Sequence, residues 1–459
     1  MVVLDMLVVA TALSSIQADL HASLADLEWT VNAYTLSFAV LLMTSASLGD
    51  RYGRRRLFAA GLAVFSLASA ACALSPTIGV LVAARTVQGV GAAVIVPLAV
   101  GLLGSAFPPE RRGWALGLYG SITGIAAILG PIVGGALTQS LAWQWIFWLN
   151  LPIGLLAIPL VLTRLHEDYG RSAALDLPGL TLFTLAAVGL DWGLVRAEAA
   201  GWGSAEVVGT LAGGTLLLLA FLRRQATAAE PMIPLRLFRS RLFSVGNTTG
   251  FLISGALTGG IFFMTQYQQV ALGQSPFGTG LRMLPWGIAP FLLAPRAGTL
   301  ADRLGPRPLV ITGMALQAAG LGWIALVATP HASYLAMVLP MSLSGIGFSV
   351  AVPSVVKAAT STADPQDIGK ASGAYTTMRQ LGATFGVAIP ATVFATAAGS
   401  APSAAEFSDG FRAAMAVVAA LALSGAALGV LLPRHRRAAP AAVVAGAVTR
   451  AREEVADRS

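Results

Sequence analysis

Stretches of about twenty mostly apolar residues recur along almost the whole chain, and nothing constrains its fold more. A helix needs about twenty such residues to cross the hydrocarbon core of a bilayer. Fourteen segments meet that need, near 1–17, 29–48, 57–75, 77–105, 114–137, 144–163, 176–194, 206–222, 243–266, 278–299, 309–328, 333–356, 372–397 and 411–432. In lipid each backbone N–H and C=O must be bonded within the protein, so isolated apolar segments become helices. Composition agrees: 11% of residues are charged, against about 25% in soluble domains. The expectation is an all-α integral membrane protein with fourteen transmembrane helices. The first segment is short, with Met1 almost inside it, which suggests a start further upstream.

Loop charge orients the spans, because Lys and Arg collect on the cytoplasmic side. With the N-terminus inside, the inner loops hold Arg51, Arg54, Arg55, Arg56, Arg111, Arg112, Arg164, Arg171, Arg223, Arg224, Arg236, Arg239, Arg241, Arg303, Arg307, Lys357 and Lys370. The outer loops hold only Arg196 outright. An even number of spans then leaves both termini in the cytoplasm. The net charge of +8 lies in these loops and not on one stripe, which argues against nucleic acid as a partner.

An internal repeat divides the chain. DRYGRR at 50–55 returns as DRLGPR at 302–307, an offset of 252 residues. GWALGLY at 113–119 returns as GKASGAY at 369–375, and Gly130 pairs with Gly386, both at 256. Two related halves with a binding site between them are a common plan of secondary transporters. The expected organisation is a six-helix half at 1–163, two inserted helices at 174–222, a second six-helix half at 242–432, and a disordered cytoplasmic tail at 433–459. The repeated phrase has a physical reading. Asp50 can accept hydrogen bonds from an arginine or a helix N-terminus. Gly53 permits a tight turn, and Arg51 and Arg54 hold the loop at an anionic leaflet. Asp302, Arg303, Gly305 and Arg307 repeat the pattern, so both corners read as latches between helices.

Several classes of chemistry are absent from the sequence. There is one cysteine, Cys72, and the four histidines are scattered, so no disulfide framework or metal site is expected. No Walker A, GxSxG or HExxH sequence occurs, so neither ATP nor an enzymatic site is expected. The expectation is no cofactor, with a proton gradient as the energy source.

With these residues in view, the chain resembles the major facilitator superfamily, and within it the fourteen-span drug:proton antiporter branch. The phrase at 46–56 is similar to that family's loop 2–3 motif, with Ala46 where glycine is usual. Arg85, Gln88, Gly89, Gly91 and Ala92 match its helix-four motif. Gly120, Gly124, Gly130, Pro131, Gly134 and Gly135 match the antiporter motif of helix five. WQWIFWLNLPIG at 143–154 and LDMLVVATALSSI at 4–16 match the starts of helices six and one, with Ser14 near where many relatives have proline. The resemblance implies a bacterial inner-membrane exporter of amphipathic small molecules, driven by protons and working by alternating access. A metabolite facilitator or importer, or a membrane sensor without transport, are the alternatives.

Asp5 is the most informative acid, because an ionisable residue inside a span is costly and usually functional. It lies 14 residues before Asp19, about 21 Å along a helix, which places it in the inner half of the membrane. Burial and an approaching cation push a carboxylate in opposite directions, so Asp5 can exchange a proton for a cationic substrate. An N-terminal helix charge at the interface is the competing reading. Arg85 lies about 12 Å into span four with Gln88 one turn on. It cannot give up its proton, and the resemblance implies a part in proton coupling. Span five carries small residues or proline at 113, 117, 120, 124, 127, 131 and 134, all on one face, which suits close helix contact. Asn32, Tyr34, Asn247, Gln266, Arg379 and Gln380 are candidate cavity-lining residues, as is Gln88. Asp191 and Trp143, Trp145, Trp148, Trp192 and Trp202 read as interfacial.

Overall fold

The computed structural model describes residues 1–107, 129–169, 176–228, 231–288, 304–360, 368–399 and 403–433, with the isolated positions 119, 122, 126, 293, 297 and 300. The described chain is all helical. The first group comprises α1 (Val2–Leu20), α2 (Leu24–Tyr52), α3 (Arg54–Ala73), α4 (Ile78–Ala106), the 129–140 helix α5 and α6 (Trp145–Arg164). A hairpin follows, α7 (Leu177–Ala200) and α8 (Ala205–Thr227). The second group comprises α9 (Arg241–Gln266), α10 (Pro276–Arg282), α11 (Pro306–Val327), α12 (Tyr334–Thr360), α13 (Ile368–Ala398) and α14 (Ala404–Gly429). Eleven helices among the described residues are long and apolar enough to cross a membrane.

Caps start these helices where the sequence supplies them. Ser23 and Asp26 form a capping box on α2, and Ser403 and Glu406 form one on α14. Each box bonds N–H groups that have no partner inside the helix. The helices pack apolar residues such as Phe65, Phe147 and Phe263 against one another and also turn large apolar residues outward. Leu155, Leu156 and Leu160 of α6 and Leu216 and Leu219 of α8 are exposed, which is the surface a lipid-facing helix presents.

The repeat recurs in backbone geometry. Gly53 precedes α3 at φ 101° and Gly305 precedes α11 at φ 78°, both in the region that favours glycine. Gly130 of α5 faces Leu7 of α1, where an added Cβ would come within 2.9 Å of the Leu7 Cβ. Its sequence mate Gly386 of α13 faces Gly255 of α9. In both groups the repeated glycine therefore meets that group's first helix.

The two groups touch at the pole away from the arginine-rich loops and near the middle of the bundle. Ser14 of α1 donates to the Gln269 side-chain carbonyl, and Gln269 Nε2 donates to the Thr11 carbonyl at 3.0 Å. A Cβ on Gly135 would come 2.7 Å from Phe277 Cα, and one on Gly280 3.1 Å from Ile132 Cα. Thr35 of α2 shares a hydrogen bond with Thr384 of α13 at 2.9 Å, and Thr377 donates to the Ala39 carbonyl at 3.4 Å. The hairpin α7–α8 packs outside this seam, with α7 against both α2 and α13.

Candidate functional site

The first group encloses a charged cluster. Arg85 Nη1 lies 2.6 Å from Asp5 Oδ2, and each residue is 1% exposed. Gln88 Nε2 and Asn150 Nδ2 donate to Asp5 Oδ1 at 2.9 and 2.8 Å. Gln88 also donates to Ser69 Oγ at 2.7 Å and accepts from Arg85 at 2.6 Å. Arg85 Nε reaches the Thr30 carbonyl at 3.0 Å, and its guanidinium lies 4.2 Å from the Tyr34 ring centroid. Helices α1, α2, α3, α4 and α6 thus each hold part of one ion pair. A buried pair is tolerable only when its remaining donors and acceptors are bonded, and both Asp5 oxygens and Arg85 Nε and Nη1 are.

Counting along α1 sets Asp5 about 21 Å before Asp19, and counting along α4 sets Arg85 about 10 Å after Ile78. The two side chains nevertheless touch. Helices of one bundle neither end at one level nor run parallel, so the contact decides and separate depth counts do not.

At the other pole, Gly53 closes a second arrangement. Arg54 bonds Asp50 Oδ1 through Nε at 2.8 Å and Asp168 Oδ2 through Nη1 at 2.6 Å. The Arg54 and Arg55 N–H groups donate to the Asp168 carbonyl and Glu167 Oε1, both at 2.9 Å. The α2–α3 corner is thereby clamped to the segment after α6. Arg51 is exposed and sits over the Tyr52 ring at 5.5 Å. Asp302 and Arg303 of the repeated phrase, and Gly120 and Gly124 of the helix-five motif, lie outside the described residues. Of that motif, Gly130 and Gly134 face α1, while Gly135 and the Pro131 carbonyl face α10 across the groups.

The remaining candidates separate. Tyr34 and Gln88 belong to the charged cluster. Asn32 is fully buried and reaches toward Asp191. Asn247 donates to its own helix, at the Phe243 carbonyl. Gln266 and Gln380 are 2% and 3% exposed, and Arg379 is exposed. Two interfacial assignments are corrected. Asp191 is 0% exposed, with Asn32 of α2 against it, and Trp143 is 3% exposed with Nε1 donating to Asp19 at 2.7 Å. Trp145, Trp192 and Trp202 are exposed as a belt requires. Sequence reasoning missed Asn150, Ser69 and Glu28, the last 1% exposed in α2. A neutral asparagine in the WQWIFWLNLPIG run was the visible signal for Asn150; nothing marked Ser69.

The family model of the Major Facilitator Superfamily matches residues 1–387 and again 248–451. A cephamycin export protein of Amycolatopsis lactamdurans is 37% identical over 97% of this chain and 92% of its own length. A tetracenomycin C resistance and export protein of Streptomyces glaucescens is 36% identical over 87% of this chain and 74% of its own. The solved structure of an auto-inhibited peptide transporter of the POT family superposes with TM-score 0.68 at 17% identity, covering 96% of each chain. The chain belongs to the Major Facilitator Superfamily. It is a multi-pass membrane transport protein and not an enzyme.

Proposed function

We propose that this protein is a proton-coupled exporter of amphipathic, drug-like small molecules in a bacterial inner membrane, with fourteen spans, α7 and α8 as an inserted pair, and both termini in the cytoplasm. The observation that carries the coupling is the sealed Asp5–Arg85 pair, an acid and a base at 1% exposure amid apolar spans. The names of the relatives, resistance and export proteins for several antibiotics, support export as its direction. The touching of the two groups at the arginine-poor pole supports a state open to the cytoplasm. A proton reaching Asp5 from outside releases Arg85. Its departure to the cytoplasm restores the pair and drives the cycle.

The test uses proteoliposomes holding an inwardly acidic pH gradient, challenged with a panel that includes puromycin and cationic dyes. Release of protons by a compound, present with the intact chain and at least tenfold weaker in Asp5→Asn, is the expected result. Equal release by the variant moves coupling away from Asp5. No release with any compound, alongside measurable uptake down a substrate gradient, replaces the antiporter with a facilitator.

A further inference from the structure

A second buried acid lies outside the Asp5–Arg85 cluster. Asp191 of α7 is fully buried. Its side chain meets that of Asn32 of α2. Asn32 Nδ2 points to Asp191 Oδ1 at 3.5 Å, the weak end of hydrogen-bond distances.

The remaining atoms pose a counting problem. Asn32 Oδ1 and Asp191 Oδ2 are both sealed from water, and neither finds a hydrogen-bond partner among the described residues. Both are acceptors when Asp191 is ionised. An unpaired carboxylate oxygen in an apolar interior is strongly disfavoured. A proton on Oδ2 would make Asp191 a donor, and the unpaired acceptor on the side chain already facing it is Asn32 Oδ1, which would give a reciprocal acid–amide pair.

The surroundings favour the neutral acid. On α2, Glu28 lies one helical turn from Asn32 and is buried, so it brings no cation. On α8, Glu206 is engaged by Arg196 at 3.1 and 3.2 Å and by Trp192, so Arg196 is committed at the exposed end of the hairpin. On α13, Arg379 lies five residues from Thr384, about 7.5 Å further toward the arginine-rich pole, and is exposed. No cation is bonded to Asp191 among the described residues. Trp29 and Trp192, the near neighbours in sequence, pack at 5.5 Å.

We propose that Asp191 is a second proton-binding carboxyl, separate from Asp5, which Asn32 holds as the neutral acid while α7 is docked on the α2–α13 seam. It extends the coupling assigned to Asp5 and does not depend on it. The same helix α2 serves both acids, through the Thr30 carbonyl to Arg85 and through Asn32 to Asp191.

Infrared spectroscopy of the full chain in lipid at neutral pH tests this through the carbonyl stretch of protonated carboxyl groups. Loss of one such band in Asp191→Asn, with the band retained in Asp5→Asn, is expected. Thermal stability of Asp191→Asn should be unchanged, because an amide has the shape and neutrality of the acid. A spectrum unaltered by Asp191→Asn overturns the proposal. Should that variant fail to fold, Asn32→Leu serves: the acid band then moves to higher frequency as its acceptor is lost, and an unmoved band overturns the proposal equally.

Discussion

In the α1–α6 group the buried polar atoms of Asp5, Arg85, Gln88 and Ser69 bond one another. In the α9–α14 group, both side-chain polar atoms of Gln266 and of Gln317, the Trp286 indole N–H and the Ser344 hydroxyl bond nothing among the described residues. The first group buries a charged pair and bonds it, although Asn32 Oδ1, Ser66 Oγ and Asn150 Oδ1 there also lack partners among the described residues; in the second group the open atoms are all on neutral side chains. Buried polar groups without partners are rare and call for an explanation. On the proposed function, the first group would hold the ion pair that a proton breaks, and the second would offer its open donors and acceptors to an amphipathic guest.

The largest effect that could break this comparison is expected at Arg85. Arg85→Gln leaves Asp5 buried without its cation, and removing one partner of a buried pair costs about 3–5 kcal/mol. The apparent melting temperature in detergent should fall sharply, and Asp5→Asn on the same background should recover part of the loss without restoring proton release. A stable Arg85→Gln chain would show that the pair is not what holds the five helices together. The opposite sign is expected in the second group. Gln317→Leu removes two unpaired atoms that cost about 1–3 kcal/mol to bury, so stability should hold or rise while the substrate concentration needed for half-maximal transport increases. A stability loss there would mean that Gln317 already has a partner.

A smaller effect is expected at the corner clamp. Arg54 is 25% exposed and shared between Asp50 and Asp168, so Arg54→Ala should cost about 1 kcal/mol or less. High salt should narrow the difference from the intact chain, which denaturation at two ionic strengths would read. The smallest effect lies in neither group. Asp176 caps α7, where burial raises its pKa but the Gly179 N–H, Gln225 and Arg224 together outweigh this and leave it below the ordinary value. A depressed carboxyl pKa stabilises the fold above the unfolded value and loses that contribution as pH falls through the folded one. Melting measured from neutral pH down past the usual carboxylate range should therefore decline less steeply in Asp176→Asn.

The spans were readable because an apolar run of membrane length has few alternatives. The start of α2 was set five residues late, at 29 instead of Leu24, because Asp26 and Glu28 interrupt the hydropathy; yet Asp26 caps the helix and Glu28 is buried inside it. Asp5 and Arg85 stood out as charges within spans, but their contact did not, since helix inclination leaves no trace in a hydropathy profile. Asp191 was misread for a related reason. A charge near a span end looks interfacial until a neighbouring helix is known to cover it, and that cover comes from α2, some 159 residues away.

Helix α1 has a consequence for how the groups communicate. It carries Asp5 in its first turn and Thr11 and Ser14 further along, and no proline interrupts it. Asp5 and Ser14 are nine residues apart, about 14 Å along a stiff rod. One end is gripped by the ion-pair cluster, and the other touches Gln269 of the opposite group. A roll of about 10° swings a side chain some 5 Å from the axis through roughly 1 Å, enough to part a hydrogen bond. Were α1 to turn as one rigid rod, loosening of Arg85's hold at one end would be felt as rotation at the Gln269 contact at the other.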